Sequence, residues 1–172
     1  KNYSEMKGGL GKILLAIFNI ISKIYLTVVR GTPVVIQIMI MYYIIFATSN
    51  NKIFVAILSF GINSGAYVAE IFRGGIMSID EGQFEAGRSL GFNYVQTMVY
   101  VIIPQAFKTV LPTLGNEFIV LLKETAVSGY VALIDLTRAG DIVRGATYQA
   151  FMPLFGVAAV YLIMVMFFSW LL

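Results

Sequence analysis

The chain alternates long apolar runs with short polar breaks, and the breaks carry the clearer signals. Residues 1–12 (KNYSEMKGGLGK) are polar and glycine-rich and read as a loop at a membrane surface. An apolar stretch follows over 13–29, holding Asn19, Ser22 and Lys23, then Arg30-Gly31-Thr32-Pro33 and a second apolar run over 33–47. Proline is accepted in the first turn of a helix and disrupts a helix interior, so the pattern predicts a break near Thr32. A single straight helix over 13–47 would be roughly 50 Å long at 1.5 Å per residue, against a hydrocarbon core of about 30 Å. The expectation is that 13–29 projects from the membrane or lies along it, while 33–47 does most of the crossing.

A turn is predicted at 48–52 (TSNNK), and the next span at 53–72, whose middle holds Asn63, Ser64, Gly65, Tyr67 and Glu70 before Arg73-Gly74-Gly75 closes it. A polar interruption occupies 76–93. The apolar run over 94–122 is punctuated by Pro104, Pro112, Asn116 and Glu117, and 123–150 is mixed, with Asp135, Arg138, Asp141 and Arg144 on what reads as a short surface helix. Residues 153–172 form a last span with no charge. This is an all-α, polytopic pattern, one domain over 1–172, with four crossings. Lys1, Lys7 and Lys12 precede the first crossing, Lys52 alone follows it, and Arg73 and Arg88 fall on the next side. The excess of basic residues in cytoplasmic loops then puts the N-terminal loop, 73–104 and the C-terminus inside, and 48–52 and 124–150 outside.

Composition narrows the class. Of 172 residues, 59% are hydrophobic and 12% charged, which leaves too little polar surface to cover a soluble fold of this size. Thirteen Phe, ten Tyr and sixteen Gly suit helices packed in lipid. With no Cys and no His, thiol redox chemistry, thiolate or imidazole metal sites and His-based catalysis are excluded. The net charge of +3 is spread without an aromatic-basic cluster, so it points to loop topology and not to nucleic acid. The chain starts at Lys1, and no signal-peptide pattern follows.

The interruption is the most ordered polar segment. Asp80 and Glu81 sit where a helix N-terminus favours negative charge. Phe84, Ala86, Gly87 and Leu90 recur at three-to-four spacing, and Ala86, Gly87 and Gly91 leave room for another surface to approach. Spacing alone leaves a docking helix and a plain solvated loop equally open.

The segment resembles the cytoplasmic loop of binding-protein-dependent ABC importer permeases. The family pattern is Glu-Ala-Ala, three residues, Gly, nine residues, Ile-x-Leu-Pro. Here it reads Glu85-Ala86-Gly87, Gly91, then Val101-Ile102-Ile103-Pro104, departing at Gly87, Val101 and Ile103 while keeping small or apolar character. Three further stretches resemble the polar-amino-acid branch: Arg30-Gly31-Thr32-Pro33 followed by Gln37, Asn63 through Ile76, and Leu114-Gly115-Asn116-Glu117-Phe118 with Leu122 through Thr125. The likeness covers about residues 13 to 172, and the family carries one more span before the position where this chain begins.

The resemblance implies a multi-pass permease of the bacterial plasma (inner) membrane, non-catalytic and binding no cofactor itself. It pairs with a second permease, itself or a sister subunit. Cytosolic ATPase subunits carry the ATP and magnesium, and a solute-binding protein delivers an amino acid. Asp80, Glu81, Gln83, Glu85, Ala86, Gly87, Gly91 and Pro104 would then form the ATPase-coupling element, a helix over 80–92. No Gly-x-x-x-x-Gly-Lys-Ser/Thr phosphate loop occurs, so energy comes from a partner or a gradient.

Ionisable and polar groups in spans mark pathways or buried pairs. Asn63, Ser64, Tyr67, Glu70, Asn116 and Glu117 are the candidates, with Gln37 behind them. Glu70 and Arg73, three apart, read best as an ion pair. Asn63, Ser64 and Tyr67 either line a path or bond between helices. Glu117 either meets a substrate ammonium or bonds Lys123 or backbone freed by Pro112. A proton-coupled secondary transporter would also carry acids in its spans, but has no need of the Glu85-to-Pro104 pattern. An intramembrane hydrolase would need an acid pair or a Ser-Lys pair, and none stands out. A permease for another small solute is the remaining alternative.

Overall fold

Proline and glycine punctuation cuts the chain into helices, and small residues let those helices pack. A computed structural model describes residues 9–172. The chain runs α1 (Gly9–Gly31), α2 (Val34–Ile40) with a π turn (Met41–Ile45), α3 (Lys52–Met77), α4 (Glu81–Ser89), α5 (Tyr94–Thr97) with a second π turn (Met98–Ile102), α6 (Ile103–Glu124), a 3-10 turn (Thr125–Val131), α7 (Leu136–Thr147) and α8 (Phe151–Leu171). No strand occurs among the described residues. Four helical stretches are long and apolar enough to cross a membrane: Gly11–Gly31, Lys52–Met77, Tyr94–Val131 and Phe151–Leu171. This matches the all-α bundle with four spans and a short helix between the second and third.

Two expectations change. Of the loop read over 1–12, residues 1–8 lie outside the described residues, and 9–12 are already helical. Glycine costs a helix about 1 kcal/mol per residue in water, a penalty that weakens where lipid offers the backbone no other partner. The halves of the first apolar stretch also exchange roles. The break at Thr32-Pro33 is present, but α2 and its π turn make only 12 residues, about 18 Å of helix. By length and composition α1 is the segment able to cross. The second run falls short because it leaves helical geometry at Phe46 (φ −111°, ψ 30°) and turns toward Asn51, whose side chain caps α3 by accepting from the Phe54 N–H at 3.0 Å.

α3 and α6 form the centre of the bundle and run antiparallel, since Ser64 meets Glu117 near one end of their contact and Gly75 meets Val110 near the other. A Cβ at Gly75 would overlap the Val110 side chain, so glycine sets how closely these helices approach. Ile38, Ala56, Phe60 and Val131 make a buried cluster where α2, α3 and the 3-10 turn converge, flanked by Tyr42, Leu121 and Val127. Phe118 and Phe168 pack edge to face at 5.2 Å between α6 and α8. α8 buries none of its span inside the chain. In lipid an all-apolar exposed helix is at home, because hydrocarbon solvates leucine as well as protein does.

α7 is the short surface helix expected within 123–150. Asp135 caps it, accepting from the Thr137 and Arg138 N–H groups, and Asp141 pairs with Arg138 at 3.7 Å and Arg144 at 2.8 Å. Gly140 lets it lie against Val157 of α8.

Candidate functional site

The polar interruption folds as a closed unit. Asp80 caps α4 by accepting from the Gly82 N–H at 2.7 Å, and Glu81 stands in the first turn, where the helix dipole favours an acid. The other end closes through Gly91. Phe92 N–H reaches the Gly87 carbonyl at 3.0 Å, and Gly91 N–H reaches Arg88 at 2.9 Å, a left-handed helix stop with Gly91 at φ +80°. Asn93 and Gln96 then cap α5 reciprocally, each side chain accepting from the other's backbone N–H at 2.9 Å.

The faces of α4 divide cleanly. Glu81, Glu85, Ala86, Arg88, Ser89 and Leu90 are exposed. Gln83 and Gly87 turn inward: Gln83 accepts from Gln105 Nε2 at 3.1 Å, and Gly87 is buried against Thr97. A Cβ on Gly87 would stand 2.6 Å from Thr97 Cγ2 and 2.7 Å from its Oγ1. Phe84 stacks on Tyr94 with centroids 6.3 Å apart. Thus Gln83, expected as part of the ATPase-coupling element, lies on the face that holds α4 to its own chain.

Pro104 sits two residues into α6, just past the π turn. It has no N–H to offer the carbonyl four residues back, and its ring crowds that carbonyl. The chain widens there, with Ile103 N–H bonding Met98 O five residues back. Glu124 closes α6 before the 3-10 turn, and Pro112 within it breaks the ladder a second time.

Elsewhere in the bundle, polar side chains tie α2 to α1 and α3. Gln37 Nε2 lies 2.7 Å from Val29 O, 3.0 Å from Thr32 O and 2.7 Å from the Thr32 hydroxyl oxygen, three acceptors at the α1–α2 break for its two protons. Its Oε1 accepts from Asn63 Nδ2 at 3.0 Å. Asn63 is 2% exposed, and its Oδ1 accepts nothing. The next residue, Ser64, lies close to the Glu117 carboxyl of α6. Asn63 therefore bonds between helices, one of the two expectations for it, and the Glu117 carboxyl lies near Ser64. Asn116 is exposed and stands apart from these groups.

Tyr67 and Glu70 form a separate cluster. Arg73 binds Glu70 from the next turn, with Nε at 2.9 Å, and Arg30 reaches the other carboxylate oxygen from α1 at 3.4 Å. The Arg30 guanidinium also lies 5.7 Å from the Tyr67 ring centroid. The intrahelical pair expected from spacing exists, and Arg30 makes it an interhelical one. Gln105, Thr97 and the central place of Gln37 escape a sequence reading, because each depends on which face a neighbouring helix presents. No group of three or more acids able to hold a metal occurs among the described residues.

Comparison with known proteins adds to this geometry. Residues 12–172 match the family described as "Binding-protein-dependent transport system inner membrane component". The putative glutamine transport system permease protein GlnP of Rickettsia typhi is 37% identical over 158 residues, 90% of this chain and 72% of that protein. The glutamine transport system permease protein GlnP of Escherichia coli K12 is 36% identical over 160 residues, 91% of this chain and 73% of that one. A chain from the crystal structure of an amino acid ABC transporter with histidines superposes with a TM-score of 0.82 at 45% identity, covering 88% of this chain and 72% of that one.

Proposed function

Since the chain belongs to the family of binding-protein-dependent transport system inner membrane components, and so is a multi-pass transmembrane permease subunit of an ABC importer, we propose that it passes a polar amino acid, glutamine first, across a bacterial inner membrane. The observation that carries the cargo assignment is the likeness, at 36–37% identity over nine-tenths of the chain, to glutamine permeases.

In this reading α4 is the coupling helix. Its exposed edge, with Glu81, Glu85, Ala86 and Leu90, meets a groove of a cytosolic ATPase subunit. ATP and magnesium bind to that ATPase, and the permease contributes only the path and the linkage. A second permease subunit completes the path, and a solute-binding protein delivers cargo on the other side. Along the path, Glu117 offers a carboxylate to the ammonium of the amino acid, with Ser64 beside it. Asn63 and Gln37 hold α2 against α3 beside this point.

The test is uptake of labelled glutamine by vesicles holding the complete transporter with its ATPase and binding protein. The importer reading expects uptake that requires ATP and survives collapse of the proton gradient. Uptake that follows the gradient and ignores ATP would instead make the protein a proton-coupled secondary transporter. ATP-driven uptake of another solute, with glutamine neither carried nor competing, would overturn the cargo assignment alone. Docking is tested separately. The chain has no cysteine, so a single Cys at Glu85 or Ser89, both exposed, reports on its neighbours. A disulfide to cysteines placed around the ATPase groove, changing with ATP, is the expected result.

A further inference from the structure

Movement of α4 has two possible fates. It can pass into α6, which carries Glu117, or be absorbed in the π turn at Met98–Ile102 that lies between them. A π turn interrupts the regular i→i−4 ladder, occurs frequently at functional sites, and is a place where a helix can yield. Here Pro104 weakens it further by withholding an N–H. A brace across the turn would decide the outcome, and one is present. Gln105 Nε2 has two protons. One goes to Val101 O, inside the π turn, at 2.9 Å, and the other to Gln83 Oε1 of α4 at 3.1 Å. One amide thus ties three parts together: α4, the π turn and the first turn of α6. Among the described residues, this is the side-chain hydrogen bond by which α4 reaches α6.

We propose that Gln105 is a positioning residue that locks the π turn to α4, so that α4, α5 and the cytoplasmic half of α6 move as one body. The inference rests on the reading of α4 as the coupling helix. The other contacts are arranged to serve the same end. Gly87 seats on Thr97, Phe84 stacks on Tyr94, and the reciprocal Asn93–Gln96 caps stiffen the short link between α4 and the turn. All of these fasten α4 to residues before or at the start of the π turn, whereas the Gln83–Gln105 bond crosses to the far side. Gln105 is half-buried and touches neither the exposed edge of α4 nor Glu117, so its effect is on transmission and not on docking or cargo.

The experiment uses the assembled transporter in vesicles. Gln105→Leu keeps the helix and most of the volume but removes both donors. ATP hydrolysis and ATPase retention should stay at the wild-type level, while glutamine moved per ATP falls roughly fivefold, the scale of one lost hydrogen bond. Gln83→Glu combined with Gln105→Lys replaces the amide pair by an ion pair that still donates to Val101 O, and should restore the ratio to within about twofold of wild type. A readout independent of cargo uses spin labels at Ser89 on α4 and Leu111 on α6, both exposed. Their distance should stay narrow and unchanged by ATP in the wild type, and broaden in Gln105→Leu. An unchanged ratio in Gln105→Leu, a double variant no better than Gln105→Lys alone, or a wild-type distance that itself shifts with ATP would each overturn the proposal. A failure of the underlying reading looks different: Ala86→Trp on the exposed edge would leave the ATPase bound and stimulated, whatever Gln105 variants do.

Discussion

Arg30 and Arg73 share one carboxylate: Glu70 is held by Arg73 from its own helix and by Arg30 from the end of α1, 3.4 Å away. Two cations on one acid give a definite ordering of effects. Removing Glu70 leaves two guanidinium groups facing each other, whereas removing Arg30 leaves an ordinary pair. Glu70→Gln should therefore lower the Tm of the detergent-solubilised protein more than Arg30→Gln. The double variant should be less destabilised than Glu70→Gln alone. Equal effects of the two single changes would mean that α1 is not held at this point.

Gly87 against Thr97 is a second matched contact. Gly87→Ala places a Cβ within about 2.7 Å of Thr97 side-chain atoms, and overpacking of this kind costs about 1–3 kcal/mol. Thr97 Oγ1 bonds only Asn93 O of its own turn, at 3.0 Å, so Thr97→Ala should be mild. Gly87→Ala should lower ATPase retention through purification, and Gly87→Ala with Thr97→Ala should recover it. A double variant as impaired as Gly87→Ala would show that the two residues do not meet.

The stop at Gly91 depends on its φ of +80°. Open space surrounds it, so the penalty for a side chain there is conformational. Gly91→Ala should cost about 1–2 kcal/mol, with Gly91→Asn closer to wild type because asparagine tolerates the left-handed region. Thermal unfolding of the two variants measures the difference, and identical melting would place the backbone elsewhere in φ.

Glu117 and Ser64 separate a path role from a structural one. If the carboxylate receives cargo, Glu117→Gln lowers uptake with assembly intact, and Ser64→Ala lowers it less, since Ser64 lies beside the acid without replacing its charge. Uptake by Glu117→Gln equal to wild type would remove this residue from the path.

Much of the architecture is legible along the chain. Pro33 marks the break after α1, Asn51 starts α3, Asp80 and Gly91 bracket α4, and Asp135 starts α7. These are local events, decided by a fixed φ, a missing N–H or a capping oxygen within three residues. The exchange of roles between 13–29 and 33–47 was not legible, because both runs are apolar and composition does not say where a helix stops winding.

Sequence alone was enough for the membrane class, the number of long spans, the short helix between the second and third, and its family pattern, because each is written in composition or in spacing along one helix. Tertiary structure decided the pairings: Gln83 with Gln105, Asn63 with Gln37, Arg30 with Glu70. The physical reason is geometric. Period and capping describe a helix about its own axis, whereas a partner on another helix depends on the rotation and register of both, and those are settled only when small residues such as Gly75 and Gly87 let the helices close together.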